Sequence, residues 1–425
     1  MSLLTSLSSA LISLSIAIYT LGFLFFRIAE LVPLLKLYPT HSLSISIGTI
    51  AIQCTPSIGR WSKRIAYIAT LLGIIHFIDV RLPKPLPIPN DAHATKTVVI
   101  TGANSGVGYE TARQLAVHYG MNVILGCRSK AKCDAAARSI NGQIISVGNT
   151  SGKAIPLILD LADFTSVQSL AAQLQDVHID VLFNNAGYAP ESNLPVNQYG
   201  LDPSFTSMHL SHFLLTEELL KRHPSLRVVN TSSGTHHLCA IPFTVLPDWV
   251  LNTFSVDQNP GCVDTDFLTN GMYRETDSAA YINAKIANIM HVVEIPLRHD
   301  MATAVAIDLG WVGTGIQSFM EGSFTPASVG WMRSVDVGVL PALHAILSTN
   351  DELLDGSVNH FMSNNREWKD GGIVIGVFGR TAEAFVFDWF WKEERSLGRT
   401  KMLELSKGLW NVSEEIIEKH TMASE

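Results

Sequence analysis

A tyrosine and a lysine stand one helical turn apart in Tyr281-Ile-Asn-Ala-Lys285, a spacing that puts both on one face of a helix. A phenol beside an ammonium can move a proton to or from a substrate oxygen. Far upstream, Thr97-Val-Val-Ile-Thr-Gly-Ala-Asn-Ser-Gly-Val-Gly108 runs from a buried-strand pattern into three glycines and then a helix-competent stretch to about His118. The glycine spacing predicts a phosphate cradle. Gly102 permits a tight turn, Gly106 lets backbone N–H groups approach a pyrophosphate, and Gly108 allows the helix to pack close to the strand. Asn104, Ser105 and Val107 fill the turn between them.

Short apolar runs supply the elements that must hold these groups. Val98 to Ile100, Asn122 to Leu125, Ile155 to Leu159, Asp180 to Asn184 and Arg227 to Thr231 read as buried parallel strands alternating with helices. The strand from Asp180 ends in Asn184-Asn185-Ala186-Gly187. Arg128 follows the second strand, where an acidic side chain would accept from a ribose 2′-hydroxyl and an arginine would instead meet a 2′-phosphate. Lys130 adds charge there, and a solvated loop is the competing reading of Arg128.

The ordered set TGxxxGxG, NNAG, a Ser232-Ser233 strand end and YxxxK resembles the short-chain dehydrogenase/reductase family. In texture it is similar to the retinol dehydrogenase and WW-domain-oxidoreductase-like branch, including the Cys127-Arg128 pair and the late Leu-Trp-Asn-Val-Ser run. The resemblance implies an α/β fold, a doubly wound parallel (Rossmann) sheet, carrying NADP(H). It implies catalytic Ser233, Tyr281 and Lys285, with Ser233 binding the substrate oxygen, Tyr281 exchanging the proton and Lys285 holding the ribose. It places Asp160 and Leu161 at adenine, with helix capping as the other use of Asp160, Asn184 near the adenosine-side ribose, Asn185, Ala186 and Gly187 in the sheet support beside the cofactor, and Thr314 at the carboxamide. Acting as a base near neutrality would require the Tyr281 pKa to fall, with Lys285 and the nicotinamide charge lowering it.

Three departures stand out. Met208 occupies the place of the family's asparagine in Thr206 to Thr216, and a thioether cannot position the water of its proton relay. His209 and Ser207 are the neighbours able to substitute, but α-helical geometry aims both elsewhere. Leu309 replaces the usual proline in Ile307 to Thr314, while the closer text match, Asn259 to Thr265, precedes the tyrosine and is a loop coincidence. A long insertion, 235–276, carries Phe243, Trp249 and Phe254, and reads as an apolar lid or as a surface excursion.

The chain has 425 residues and a net charge of −8, with no basic cluster, which argues against nucleic-acid binding. Residues 1–26 carry no charged side chain, enough to cross a bilayer as a transmembrane helix at about Leu3 to Phe26; a secretory signal is the alternative. Ser42 to Gly59 and Ile65 to Ile78 read as further spans or interfacial segments. Alternating prolines from Pro83 to Pro89 make an extended linker, so the expected organisation is a hydrophobic membrane region at 1–82, the linker at 83–95 and the catalytic domain at 96–425. Flanking basic residues place that domain in the cytosol, with the endoplasmic reticulum as the expected membrane.

The five cysteines, odd in number and without CxxC or metal spacing, suggest neither a disulfide framework nor a bound metal. The tail is expected to hold a strand near Val358 to Met362, an aromatic run Phe385 to Trp391, and a helix over Leu403 to Lys419 that Gly408 interrupts. The expected partners are a lipophilic small-molecule substrate and membrane lipid, with an oligomer left open. Two alternatives are a catalytically weak NADP(H)-binding scaffold and a ketoreductase of a sterol or polyketide pathway.

Overall fold

In a computed structural model the described residues are 91–148, 151–188, 195–233, 277–310, 312–314, 334–349, 361–363 and 399–421. The apolar N-terminal segments, the proline linker, the insertion and the aromatic run from Phe385 lie outside them. Among the described residues no helix is long and apolar enough to cross a membrane.

Strands β1 (Thr97–Thr101), β2 (Asn122–Cys127), β3 (Lys153–Ile158), β4 (Val181–Asn184), β5 (Arg227–Thr231), β6 (Thr303–Ile307) and β7 (Phe361–Ser363) form one sheet in the order β3-β2-β1-β4-β5-β6-β7. The first six pair in parallel and β7 runs antiparallel to β6, so the expected all-parallel sheet gains one reversed edge. That last strand begins three residues later than the sequence pattern suggests. At the other edge, Pro156 sits in the middle of β3, opposite Leu125.

Parallel strands need crossovers, and helices cover both faces. Helices α1 (Gly106–Tyr119), α2 (Lys130–Ser146) and α6 (Leu340–Leu347) pack on one face around Ile100, Leu115, Ile140, Phe183 and Leu343. On the other, α3 (Phe164–Gln173), α4 (Ser211–Leu220), α5 (Asp277–Arg298) and α7 (Arg399–Thr421) enclose Val99, Leu182, Leu215, Ile289 and Leu409. Alternate residues of each strand thus feed opposite cores, as a pleated backbone requires.

Caps mark the crossovers. Gly120 ends α1 in the left-handed region at φ 68°, where a side chain would be strained. Asp163, rather than Asp160, caps α3, its Oδ1 accepting from Thr165 N. Gly408 does not interrupt α7, which runs unbroken through it. A π-helical segment, Thr206–Leu210, containing Met208, follows a short helical turn and runs directly into α4.

Cys127 and Cys133 form a disulfide, contrary to the expectation from cysteine count. Counting pairs misses a local one: β2 ends at the first cysteine and the first turn of α2 returns the second to a Cα separation of 5.7 Å.

Candidate active site

The glycine-rich turn is tight for identifiable reasons. Gly102 and Gly106 adopt φ of 68° and 56°. A Cβ on Gly102 would meet Ala186 Cα at 3.0 Å, and one on Gly108 would lie 2.5 Å from the Gly102 carbonyl oxygen and 2.6 Å from Asn185 Nδ2. Gly106 faces Thr314, whose Cγ2 lies 3.4 Å from where a Cβ would project. Thr314 and the turn therefore meet, although they are distant in sequence. Asn104 is half-buried, Ser105 is exposed as the N-terminal flank of α1, and Val107 is buried. Backbone N–H groups at a helix start, with no side chain in the way, make a cradle that fits a dinucleotide pyrophosphate.

Thr101 ties this turn to the NNAG segment. Its Oγ1 accepts from the backbone N–H groups of Asn185 and Ala186, both at 2.9 Å, while Asn185 Nδ2 donates to Thr101 O at 2.8 Å. His212 completes the tie, with Nε2 at 2.9 Å from Thr101 Oγ1 and Nδ1 at 3.1 Å from the Met208 carbonyl. A carbonyl only accepts, so Nδ1 carries the hydrogen and Nε2 accepts from the threonine hydroxyl. Burial pushes the His212 pKa down to about 4, keeping this ring neutral. Sequence reading missed His212.

Asn184, expected near a ribose, turns its side chain inward instead. Its side chain is buried, donating to Thr216 Oγ1 and Asn230 Oδ1 at 3.0 and 2.9 Å, and so fastens β4 to α4 and β5. Strand alternation sends it inward and leaves its neighbour Asn185 at the site.

Arg128 is exposed immediately after β2. Lys130 is exposed too, but pairs with Asp134 at 2.7 Å. Asp160 Oδ1 accepts from Ala162 N at 3.0 Å, and Leu161 is buried with its carbonyl taking the Ser211 hydroxyl at 2.6 Å.

The two serines ending β5 separate clearly. Ser232 is buried and donates to the Lys285 carbonyl at 2.8 Å, a structural tie to α5. Ser233 hydrogen-bonds Tyr281, and Lys285 Nζ lies 5.2 Å from the centre of the tyrosine ring. The structure thus brings together Ser233, Tyr281 and Lys285 at the carboxyl ends of the strands. A Cβ on Gly187 would lie 3.5 Å from Lys285 Nζ and 3.4 Å from Met208 Sδ, so the thioether reaches the lysine's side of the site.

In the protein chain alone the Tyr281 pKa is raised to about 12: burial penalises the phenolate, the Ser233 hydrogen bond offsets part of that, and the Asp308 charge adds to the rise. Lys285 is pushed down to about 8 by burial, with Asp308 partly restoring its charge. Asp308, the residue after β6, is buried and was invisible to motif reading because it lies between a strand and an atypical turn. Its Oδ1 also accepts from Gly310 N at 2.6 Å. Asn288, one helical turn beyond Lys285, was missed as well, although its spacing of three placed it on the same face.

The sequence profile of short chain dehydrogenases matches residues 96–243. The chain is 30% identical over 281 residues to human (Homo sapiens) Retinol dehydrogenase 13, covering 63% of this chain and 76% of that protein. It is 31% identical to human Retinol dehydrogenase 11, covering 64% and 79%. It is 32% identical to the WW domain-containing oxidoreductase of Danio rerio over 48% of this chain and 45% of that one. The chain belongs to the short-chain dehydrogenase/reductase family, and its relatives among the retinol dehydrogenases are oxidoreductases by name.

Proposed function

We propose that the protein is a membrane-bound, NADP(H)-dependent oxidoreductase that interconverts an alcohol and a carbonyl on a lipophilic substrate such as a retinoid or steroid. The observation that carries this reading is the contact of Ser233 with Tyr281 beneath Lys285, beside a glycine cradle that tolerates no Cβ. Arg128 after β2, with no acidic side chain beside it, supports a cofactor bearing a 2′-phosphate. Gly102, Asn104, Ser105, Gly106, Val107 and Gly108 would hold the pyrophosphate, Arg128 and Lys130 the phosphorylated ribose, Asp160 and Leu161 the adenine, and Thr314 the nicotinamide end. When bound, the cofactor supplies the hydride for the carbonyl carbon.

The protein groups act on the oxygen. Ser233 and Tyr281 donate hydrogen bonds to the carbonyl oxygen, which polarises it and fixes its position. As charge grows there, the Tyr281 O–H bond breaks and the proton passes to the substrate. A phenol is protonated at neutral pH and so can act as the proton donor in reduction. Lys285 stabilises the phenolate left behind by its charge.

The apolar sequence of residues 1–26 supports a membrane anchor on the endoplasmic reticulum with residues 96–425 in the cytosol. The test is NADPH oxidation by detergent-solubilised protein against retinals, ketosteroids and long-chain carbonyls, beside Tyr281→Phe. Turnover lost by two to four orders of magnitude in the variant, roughly the range for a general acid, supports the reading. A second reading, a weakly active NADP(H)-binding scaffold, is favoured by a thioether, Met208, at the family's asparagine position, with its Sδ on the side of Gly187 that Lys285 Nζ also faces. It predicts NADPH binding with no Tyr281-dependent turnover.

A further inference from the structure

In a parallel sheet each strand runs out into a helix at its carboxyl end, and each helix returns the chain at the amino ends, so the helix-to-strand turns share one rim. Here α2, α3, α4 and α5 end at Ser146, Gln173, Leu220 and Arg298, and β3, β4, β5 and β6 begin at Lys153, Val181, Arg227 and Thr303. Backbone bonds tie these turns into one row. Lys153 N donates to Met121 O, Asp180 N to Thr97 O and Thr303 N to Leu226 O, at 3.0–3.4 Å. This rim lies at the opposite end of the strands from Ser233 and Tyr281.

Apolar surface gathers on it. Among the described residues seven large apolar side chains are exposed, and five of them, Ile145, Val147, Val177, Leu297 and Met301, sit in these turns or in the helix ends that enter them. Ile145 and Met301 are 78% and 68% exposed, so they stand out as prongs rather than as the margin of a core. Single exposed apolar residues need no explanation, but five on one rim mark a contact surface. The exposed charges of the same turns and their bounding residues are Lys153, Lys221, Arg222 and Arg298 against Asp176 and Asp300. Four cations thus face two carboxylates, on a chain whose net charge is −8.

Spacing and connectivity say what covers this rim. The prongs run from the turn before β3 to the turn before β6, five strand spacings or about 24 Å. Such a spread suits a flat partner that each prong enters separately, rather than a helix or a small molecule seated in a groove. Apolar side chains flanked by cations suit an anionic lipid headgroup layer, with the apolar tips at the acyl boundary. The chain also enters β1 through this rim, at Thr97, and the sequence ahead of it holds the proline linker and, further upstream, the uncharged residues 1–26. Residues 83–90, if extended, reach about 25 Å, so a bilayer holding the apolar sequence ahead of Pro83 is within range of the rim.

We infer that the amino rim of the sheet rests on an anionic bilayer surface, with Leu297 and Met301 on one side and Ile145 and Val147 on the other as its apolar prongs. This rests on the membrane-bound reading above and adds an orientation to it. Ser233 and Tyr281 then face away from the lipid, separated from it by the length of a five-residue strand, about 17 Å.

The test uses the full chain, a single copy per lipid nanodisc of phosphatidylcholine and phosphatidylserine at about 4:1, and a water-soluble acylating reagent whose lysine products are read by mass spectrometry. Lys153 and Lys221 lie on the rim, Lys130 and Lys132 at the other end, and all four are exposed in the protein. Each pair includes one lysine in a surface ion pair, Lys221 with Glu218 and Lys130 with Asp134. With each rate normalised to that of the same lysine in urea, the rim pair is expected to react about fivefold more slowly than the other pair. Leu297→Glu combined with Met301→Glu is expected to restore the Lys221 rate while the chain stays on the disc and keeps its melting temperature. Equal rates for the two pairs on a disc-bound chain overturn the inference and leave the membrane-bound reading standing. A chain that does not co-elute with the discs overturns both. Slowing that appears only when several chains share a disc assigns the rim to a second copy of the protein and overturns the lipid contact.

Discussion

The two halves of the site are built by different means. Around β1 and β2 the cradle is made of backbone and missing side chains: positive φ at Gly102 and Gly106, and a Gly108 whose would-be Cβ overlaps a carbonyl oxygen. Around β5, β6, α4 and α5 it is made of polar groups drawn from separate elements, half-buried Tyr281 and buried Lys285, Asp308, Asn288 and His212. The first half works by excluding atoms, and the second by satisfying them. Steric exclusion is local and all-or-none. Buried polarity is distributed, and each part of it can be tuned.

Substitutions can break this contrast, and the largest effect belongs to the steric half. Gly108→Ala forces a methyl against the Gly102 carbonyl, a contact that only a backbone shift relieves. It is expected to cost about 3 kcal/mol in stability and to abolish NADPH binding in a fluorescence titration.

The polar half should fail by degrees. The His212 pKa near 4 lies below the 6.5 of an unfolded histidine, so on acidification the unfolded chain takes up its proton first. Stability from this group is present above about pH 6.5 and falls as pH drops towards 4, by about 3 kcal/mol. His209 and His291, also buried and lowered, add to the slope. Thermal melts between pH 7 and 4 should flatten in His212→Gln; an unchanged slope would show that the ring is not the buried neutral group described.

Arg128→Asp separates the halves again, because it alters a solvent-exposed reader without touching either core. The ratio of kcat/KM for NADPH over NADH is expected to fall by roughly 30-fold, about 2 kcal/mol, with the melting temperature unchanged. The smallest effect is that of Asp308→Asn. Removing this charge lowers the pKa of both Lys285 and Tyr281, so the alkaline limb of the pH–rate profile moves to lower pH. A limb that moves to higher pH would contradict the placement of Asp308.

Legibility in the sequence followed the same division. The glycine turn, the strand runs and the pairing of Tyr281 with Lys285 are short-range patterns, and the fold puts them where their spacing says. Choosing Ser233 over Ser232 also follows from strand alternation, since one side chain must point into the helix layer. What spacing does not encode is which distant group faces a buried atom. Asn184 was assigned to a ribose and its side chain turns inward, and Asp308 and His212 carried no motif. Each of these errors concerns a contact made across the sheet or between helices.

The outer strand β3 carries Pro156 at its midpoint, and proline has no N–H to offer. The row of donors along β3 is interrupted at its midpoint, which disfavours the addition of another strand there. A missing N–H at the centre of a bare edge is the kind of interruption that makes fibrous, edge-to-edge self-association less favourable.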